Sequence, residues 1–562
     1  MKNKQIFIFM FIFACLQALQ ANQVPTEQDR QNFKNIEKEL NFMEKKQNEQ
    51  NIEKQLEQAE KRYKPQTTKK KGTQNLTKKK YFFKTIRFSN YKSEIPTEIS
   101  AILSKYTKRW ISASEIYEII EKTTNYFISK GYSTSVVIIE KLNTKKQYLI
   151  LKINFGYVNN IYINDKPHTA RAWTAIPLKK NSIFNIFALD QGVENISNAS
   201  YFAEMNIKPS DKHGYSDIYI YEKHDSMNIG ADIDNSADKD RGSFRGSVYY
   251  MGNNLFGISD QLYLLLSHRF LKNKQDKENA YIGSYTIPIG YYKIMYQAQF
   301  SDVENTINGN YGNYLNANQT IKHKLSFKRA VYRDTNTKAT IYVTMALKDV
   351  FSKINDSLIE ANSGRYTNIA LGFEILEYLS QGSLFFNLEH QSGVPFFGAR
   401  QDSQNSIYRV NFEKINFNLF YNQYVFRNQY LGVLFKMNAA GSYSKDTLLY
   451  ADKFFVGDEY TVRGFKESSA AWDWGFYINN TISLKFNTKN IYLNFEPFIG
   501  LDFGYGRDYE LEKNDLLIGI AFGVKYTLEN LSISFAISKD LHKGHGMPKE
   551  SIPMYFRASV SI

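Results

Sequence analysis

Residues 531–538 read Leu-Ser-Ile-Ser-Phe-Ala-Ile-Ser, so that Leu531, Ile533, Phe535 and Ile537 alternate with Ser532, Ser534, Ala536 and Ser538. A period of two is that of a β-strand, whose successive side chains point to opposite faces. One face here is bulky and apolar and the other small or polar, the pattern of a strand standing between lipid and a watery lumen. Just upstream, Ile518, Ile520, Phe522, Val524 and Tyr526 alternate with Gly519, Ala521, Gly523 and Lys525 in the same way.

Working outward, the alternation repeats from about Asp225 to the C-terminus, while helical periodicity disappears. Sixteen candidate strands begin near residues 227, 244, 259, 279, 290, 320, 338, 366, 382, 406, 429, 475, 490, 515, 531 and 554. That is about 21 residues per strand with its connection, room for a strand of roughly 10 residues, short turns and some long loops. The expected fold is a membrane β-barrel of about 16 antiparallel strands over 225–562, with both ends on the periplasmic side because the count is even.

The start of the chain agrees with this location. Lys2 and Lys4 precede an apolar stretch from Ile6 to Leu19 and the small residue Ala21, the pattern of a secretory signal over 1–21. The one cysteine, Cys15, lies inside it, and cleavage after Ala21 leaves a mature chain without cysteine. The Ile12-Phe13-Ala14-Cys15 run also resembles a lipoprotein cleavage box, which leaves lipidation as the alternative to a spectator thiol. Beyond the signal no apolar run is long enough for a helical span, and mean hydropathy is -0.45, so an exported chain of this kind crosses a membrane by strands. The 41 Tyr and 41 Phe suit aromatic girdles at the membrane rims. A net charge of +15 does not point to nucleic acid once the chain has left the cytoplasm. Nine basic residues and no acidic one between Lys61 and Lys80 account for much of that charge and mark a solvated linker over 63–80.

Between signal and linker, residues 22–62 hold good helix formers, with Phe33, Ile36, Leu40 and Met43, then Ile52, Leu56 and Ala59, at helical spacing. The apolar stripe is too thin for a core, so the helix is expected in a wet place, as a plug in the channel. From 81 to 224 the pattern is globular and fits two small α+β domains, 81–156 and 157–224. The first reads β-α-α-β-β, with a capping box at Ser112-Ala113-Ser114-Glu115 and Gly131 at a helix C-terminus. Its Ser135 to Glu140 strand is the candidate edge for capturing a polypeptide by strand addition, through Ser135, Val136, Val137, Ile138 and Ile139 with Tyr132 beside them. The same β-branched run would also suit a paired core strand.

After the eleventh candidate strand comes a long connection containing Phe455-Val456-Gly457-Asp458-Glu459 and then Val462-Arg463-Gly464-Phe465. Asp190-Gln191-Gly192, Asn254-Leu255-Phe256-Gly257 before Asp260-Gln261, and Tyr285-Thr286-Ile287-Pro288-Ile289-Gly290 precede it in order. In these motifs the chain resembles the two-partner secretion transporters, the haemolysin secretion/activation and filamentous-haemagglutinin transporter family of the POTRA-plus-barrel superfamily. The resemblance spans nearly the whole mature chain. It implies a lone N-terminal helix, two POTRA domains and a barrel in the bacterial outer membrane, with the N-terminal domains in the periplasm. It implies that the Val462 to Phe465 loop folds back into the lumen and that Arg463 meets an acidic residue of the inner wall. The residues supply that partner. Phe495, Ile499, Leu501 and Phe503 form an apolar face against Glu496, Gly500, Asp502 and Gly504, which places Asp502 in the lumen beside glycines that leave space for a loop. The chain departs from the family in Gly500 where an aromatic is usual, Thr481 where a glutamate is common, and Ile562 in place of a terminal aromatic.

No catalytic elbow, zinc-binding helix motif, phosphate loop or dinucleotide fingerprint occurs, so neither enzyme chemistry nor a cofactor is expected. His542 and His545 flank Lys543 and Gly544 in an expected surface loop, where a solvated turn is favoured over a metal site. The expected function is nucleotide-free secretion of a large exoprotein, adhesin or haemolysin-like. The outer-membrane lipids and the barrel-assembly machinery are the expected partners, and an outer-membrane assembly insertase is the alternative.

Overall fold

The computed structural model describes Met43, Lys45 and Lys46 and then residues 80–562, apart from 91–95, 168, 198–201, 224–226, 237–241, 243, 274–275, 310–311, 360–362, 404–405, 487–493 and 548–549. The signal segment, most of the plug helix and the linker lie outside the described residues.

The first periplasmic domain departs from a simple β-α-α-β-β order. The run read as one strand from Tyr81 is two, Lys80–Phe83 and Thr85–Phe88, because Lys84 breaks the ladder. Lys80–Phe83 pairs with a short extra strand, Arg109–Ser112, while Thr85–Phe88 lies parallel to Tyr148–Asn154. The long helix Ala113–Ser129 starts at the expected capping box, where Ser112 Oγ accepts from the Glu115 N–H and the Glu115 carboxylate accepts from the Ser112 N–H. That backbone hydrogen bond holds the Glu115 carboxyl below its usual range. Ile116, Ile119, Thr123 and Phe127 bury one face of the helix against Leu149, Leu151 and Val137 of the sheet. Gly131 closes the helix at φ +94°, a left-handed conformation that suits glycine.

The second domain packs helices Ala170–Ala175 and Ile186–Ser197 on a four-stranded sheet, with Tyr157–Ile163 parallel to Tyr215–Lys223. The first helix has a weak signature because it is only 6 residues long. The two domains meet where the Ile186 N–H donates to Gly131 O at 2.8 Å and Asn185 Nδ2 to Lys130 O at 3.1 Å.

Among the described residues, sixteen antiparallel strands close a barrel, from Met227–Asp234 to Met554–Ser561, and the first and last pair from Gly230↔Ser561 to Asp234↔Arg557. A two-residue strand, Ser357–Leu358, folds back on the seventh. Outward positions such as Leu264, Phe327, Leu371 and Phe522 are exposed on the lipid side, while Ser267, Gln297, Thr344 and Asp502 are buried inside. The fifth to seventh strands, Tyr292–Gly309, Gly312–Arg333 and Thr337–Ile354, are 18, 22 and 18 residues long, well beyond the roughly 10 that span a membrane. Their excess is polar, which is why the sixth begins at Gly312 and not near 320. The tenth strand, Glu413–Arg427, begins later than the expected 406 because Arg409 makes only an isolated bridge to Leu448.

Candidate functional site

Residues 445–473 connect the eleventh strand, Leu431–Ser444, to the twelfth, Trp474–Phe486, and turn back into the barrel from its outer end. The base of this loop is clamped. The Asp473 carboxylate accepts from the Leu448 and Tyr509 N–H groups, each at 2.7 Å, and Lys453 Nζ bridges Asp473 and Asp508. A small hairpin, Phe454–Val456 with Ala470–Trp472, follows. Its apolar side chains form a core of their own with Val462, Phe465 and Leu517, so the loop is folded and not merely threaded through water.

At the tip, Arg463 and Asp502 meet on the lumen face of the thirteenth strand, Phe495–Asp508. Arg463 Nε donates to Asp502 Oδ2 at 2.7 Å, Nη2 to Oδ1 at 2.7 Å, and the Arg463 backbone N–H to Oδ2 at 2.9 Å. Nη2 also donates to Asn480 O at 2.7 Å, and the Asn480 N–H reaches Asp502 Oδ1. Asp502 is 0 % exposed. A bidentate guanidinium–carboxylate pair with every carboxylate oxygen satisfied offsets the desolvation of both charges far better than a single contact would.

Absent side chains make this approach possible. A Cβ on Gly500 would overlap the Arg463 guanidinium, and one on Gly519 would overlap the Arg463 carbonyl oxygen. Gly504 leaves the place taken by Val462, and Gly464 itself turns at φ +110° against the backbone of Lys539. The space above Gly500 is occupied by the arginine, so a side chain there would displace it.

A second anchor was not visible in the sequence. Glu550, in the connection between the last two strands, accepts from the N–H groups of Lys466, Glu467 and Ser468 at 2.7, 3.0 and 2.8 Å, and from Ser468 Oγ at 2.7 Å. On the other flank, Arg557 of the sixteenth strand binds Glu459 at 2.9 Å and lies over the Tyr460 ring. The signal for Gly519 was present, in the small residues Gly519, Ala521 and Gly523 of the fourteenth strand. Glu550 carried none, because its partners are main-chain groups 82 to 84 residues away.

The described residues of the N-terminal helix lie in the lumen. Lys46 Nζ contacts Asp232 of the first strand at 2.8 Å, and Lys45 Nζ contacts Asp458 of the loop at 3.3 Å. Met43 is buried with Leu265, Ala280 and Ile282 of the wall. A cavity of about 670 Å³ remains beside Lys46, Arg463, Tyr460 and Arg557.

Of the candidate capture residues, Val136, Ile138 and Ile139 are exposed on strand Val136–Asn143, which lies at one edge of its three-stranded sheet. Val137 and Ser135 are buried, and Tyr132 packs against Phe127 and Phe155. The Val137 N–H is taken by Thr124 Oγ1 at 3.1 Å. The two histidines are not brought together on a shared ligand: His545 contacts Asp515, and His542 the carbonyl of Leu516.

The second domain is locked to the periplasmic turns of the barrel. Arg333 binds Gln191 and Glu194, Lys338 also binds Glu194, and Asn195 Nδ2 donates to Gly290 O at 2.8 Å.

A closed barrel, a periplasmic α+β arm and an extracellular loop folded into the lumen define an outer-membrane transporter of the POTRA-plus-barrel class. The chain belongs to the haemolysin secretion/activation protein family ShlB/FhaC/HecB, whose model matches residues 214–526, and an ShlB-type POTRA domain model matches residues 82–156. It is similar to the outer membrane transporter CdiB of Dickeya dadantii (strain 3937), 26% identical over 410 residues that cover 72% of each chain. It is also similar to the hemolysin transporter protein ShlB of Serratia marcescens, 25% identical over 477 residues covering 83% of each. Its fold is shared with the solved structure of CdiB from Escherichia coli, at a TM-score of 0.84 and 18% identity, over 96% of this chain and all of that one. Members of this family act as two-partner secretion transporters in the outer membrane, with their POTRA domains in the periplasm.

Proposed function

We propose that this chain captures one large exported polypeptide at the exposed edge of its first POTRA domain and passes it through the barrel to the outside without a nucleotide. The observation that supports this most directly is the loop tip. Arg463 is held on Asp502 by three hydrogen bonds inside a lumen that the Lys46 segment also enters, an arrangement suited to a pore closed at rest and opened by cargo. The cargo is read as adhesin or haemolysin-like, the second supported by two relatives that carry hemolysin-transporter names. Residues 22–62 act as the plug, 63–80 as its tether, 81–156 and 157–224 as the receptor, and 225–562 as the pore. The barrel-assembly machinery inserts it and outer-membrane lipids surround it. No catalysis and no cofactor enter this reading.

The test is deletion of the gene, with the culture supernatant and the outer-membrane fraction compared before and after. Loss of one large secreted protein with other barrels unchanged is the expected result. A general loss of outer-membrane barrels would replace secretion with an insertase role.

A further inference from the structure

The flank of the second periplasmic domain that faces the barrel rim carries an exposed aromatic the transport reading does not use. Trp173 is 72 % exposed on helix Ala170–Ala175, although the helix is fixed through its neighbours. Arg171 Nε donates to Ser259 Oγ at 2.7 Å, Thr174 Oγ1 to Ile258 O at 3.3 Å, and the Gly290 N–H to Thr174 O at 2.7 Å. Trp173 is thus held beside the barrel turn that bears Phe256, itself 71 % exposed. Phe256 packs edge-on against Tyr285, which shares a strand face with the outward Tyr281 and Ile289. The membrane-facing aromatic belt of the barrel therefore continues across the turn toward the soluble domain.

Beside Trp173 a hollow of about 380 Å³ is lined by Leu178, Lys179, Lys180, Asn159 and Asn160, with no acidic residue in its wall. Pro177, just before Leu178, lies near the turn at Gly290, 3.5 Å from where a Cβ there would stand. Indole rings favour the boundary between headgroups and acyl chains, and lysines beside a membrane favour anionic headgroups. An apolar ring and two ammonium groups lining one hollow beside the barrel rim match an amphiphile with a phosphate.

We propose that this hollow binds the headgroup of an anionic phospholipid in the periplasmic leaflet, with Trp173 at the headgroup–acyl boundary and Lys179 and Lys180 on the phosphate. The site fixes the periplasmic arm against the membrane plane as well as against the barrel. The side-chain amide of Asn159 is spent on Ser210 and Asp217, so the phosphate is left to the two lysines, and Lys180 Nζ is held on this wall by Asn160 Oδ1 at 3.0 Å.

The experiment uses the full chain in bilayers of phosphatidylcholine alone or mixed with phosphatidylglycerol, with acyl chains brominated near the glycerol. Bromine quenches tryptophan on contact, and subtracting the emission of Trp173→Phe isolates this ring from Trp110, Trp472 and Trp474. The expected result is strong quenching of the Trp173 component that deepens with phosphatidylglycerol and persists in excess inorganic phosphate. Lys179→Glu with Lys180→Glu should remove the dependence on phosphatidylglycerol. An unquenched Trp173 component in every bilayer would overturn the site. Equal quenching in both bilayers, unchanged by the double substitution, would overturn the anionic ligand, and loss of quenching on adding phosphate would assign the hollow to a free anion.

Discussion

The Arg463 guanidinium occupies the volume that a side chain at Gly500 would fill. The arginine and the glycine are thus one fitted unit: the charge reaches Asp502 because the wall beneath it is bare.

Adding a methyl group to that wall should then act like removing the charge. Gly500→Ala would push against a guanidinium already held by Asp502 and Asn480 O, and secretion should fall several-fold. Gly519→Ala would strike the Arg463 backbone oxygen, which has less freedom to move, and secretion should be abolished. Heat-modifiable migration in gels reports whether the barrel still forms, and normal secretion by Gly519→Ala with an intact barrel would contradict the fit.

Arg463→Ala and Asp502→Ala should each destabilise the lodged loop by about 3 kcal/mol, since each leaves a buried partner charge unpaired. Arg463→Lys should also be impaired, because an ammonium cannot supply the parallel fork. Exchanging the two charges should give only partial rescue: the Arg463 N–H also donates to Asp502, and a swapped pair loses that bond. Secretion is the readout, with insertion followed in parallel.

Capture by strand addition needs a free N–H on the outer edge of Val136–Asn143. Val137 is a poor place to block it, being 2 % exposed and already bonded to Thr124. Backbone N–H groups alternate in direction along an antiparallel strand, so Ile139 points the same way as Val137, toward the open side. Ile139→Pro should abolish cargo binding to the purified protein while the barrel still inserts, and unchanged binding would move capture to another surface.

The buried pair of Lys46 and Asp232 ties the N-terminal helix to the first strand. Asp232→Asn should weaken that tie and raise the mean conductance in planar bilayers, and deletion of residues 23–62 should raise it further. Equal conductance in all three proteins would place the helix outside the conducting path.

The parts of this molecule legible in its sequence are those governed by neighbours a few residues away. Alternation in Leu531–His542, the capping box at Ser112 and the turn glycine at Gly131 are local, and each appears where the sequence points. Asp502 was legible for the same reason, as the polar member of an alternating run with glycines on its own face. The clamp on Asp473, the Glu550 anchor and the Asn480 carbonyl were not, because they depend on which chain segments the closed barrel brings together. Main-chain partners leave no trace in side-chain identity. The long extracellular ends of the fifth to seventh strands were blurred because polar residues beyond the lipid no longer alternate in hydrophobicity.

Asp502 and Glu550 grip the same short run of chain, one at Arg463 and the other at residues 466–468. Two grips on one segment are not independent: when either lets go, the other keeps the parted groups close, and they rejoin at the effective concentration of a short tether. Withdrawal of the loop therefore requires both to be open in the same interval, and the chance of that is the fraction of time one is open multiplied by the fraction of that time in which the other is open too. Thermal motion alone will rarely achieve it. An arriving polypeptide that competes for even one grip removes a factor from that product, so a weak contact with cargo is amplified into a large change in how often the passage stands open.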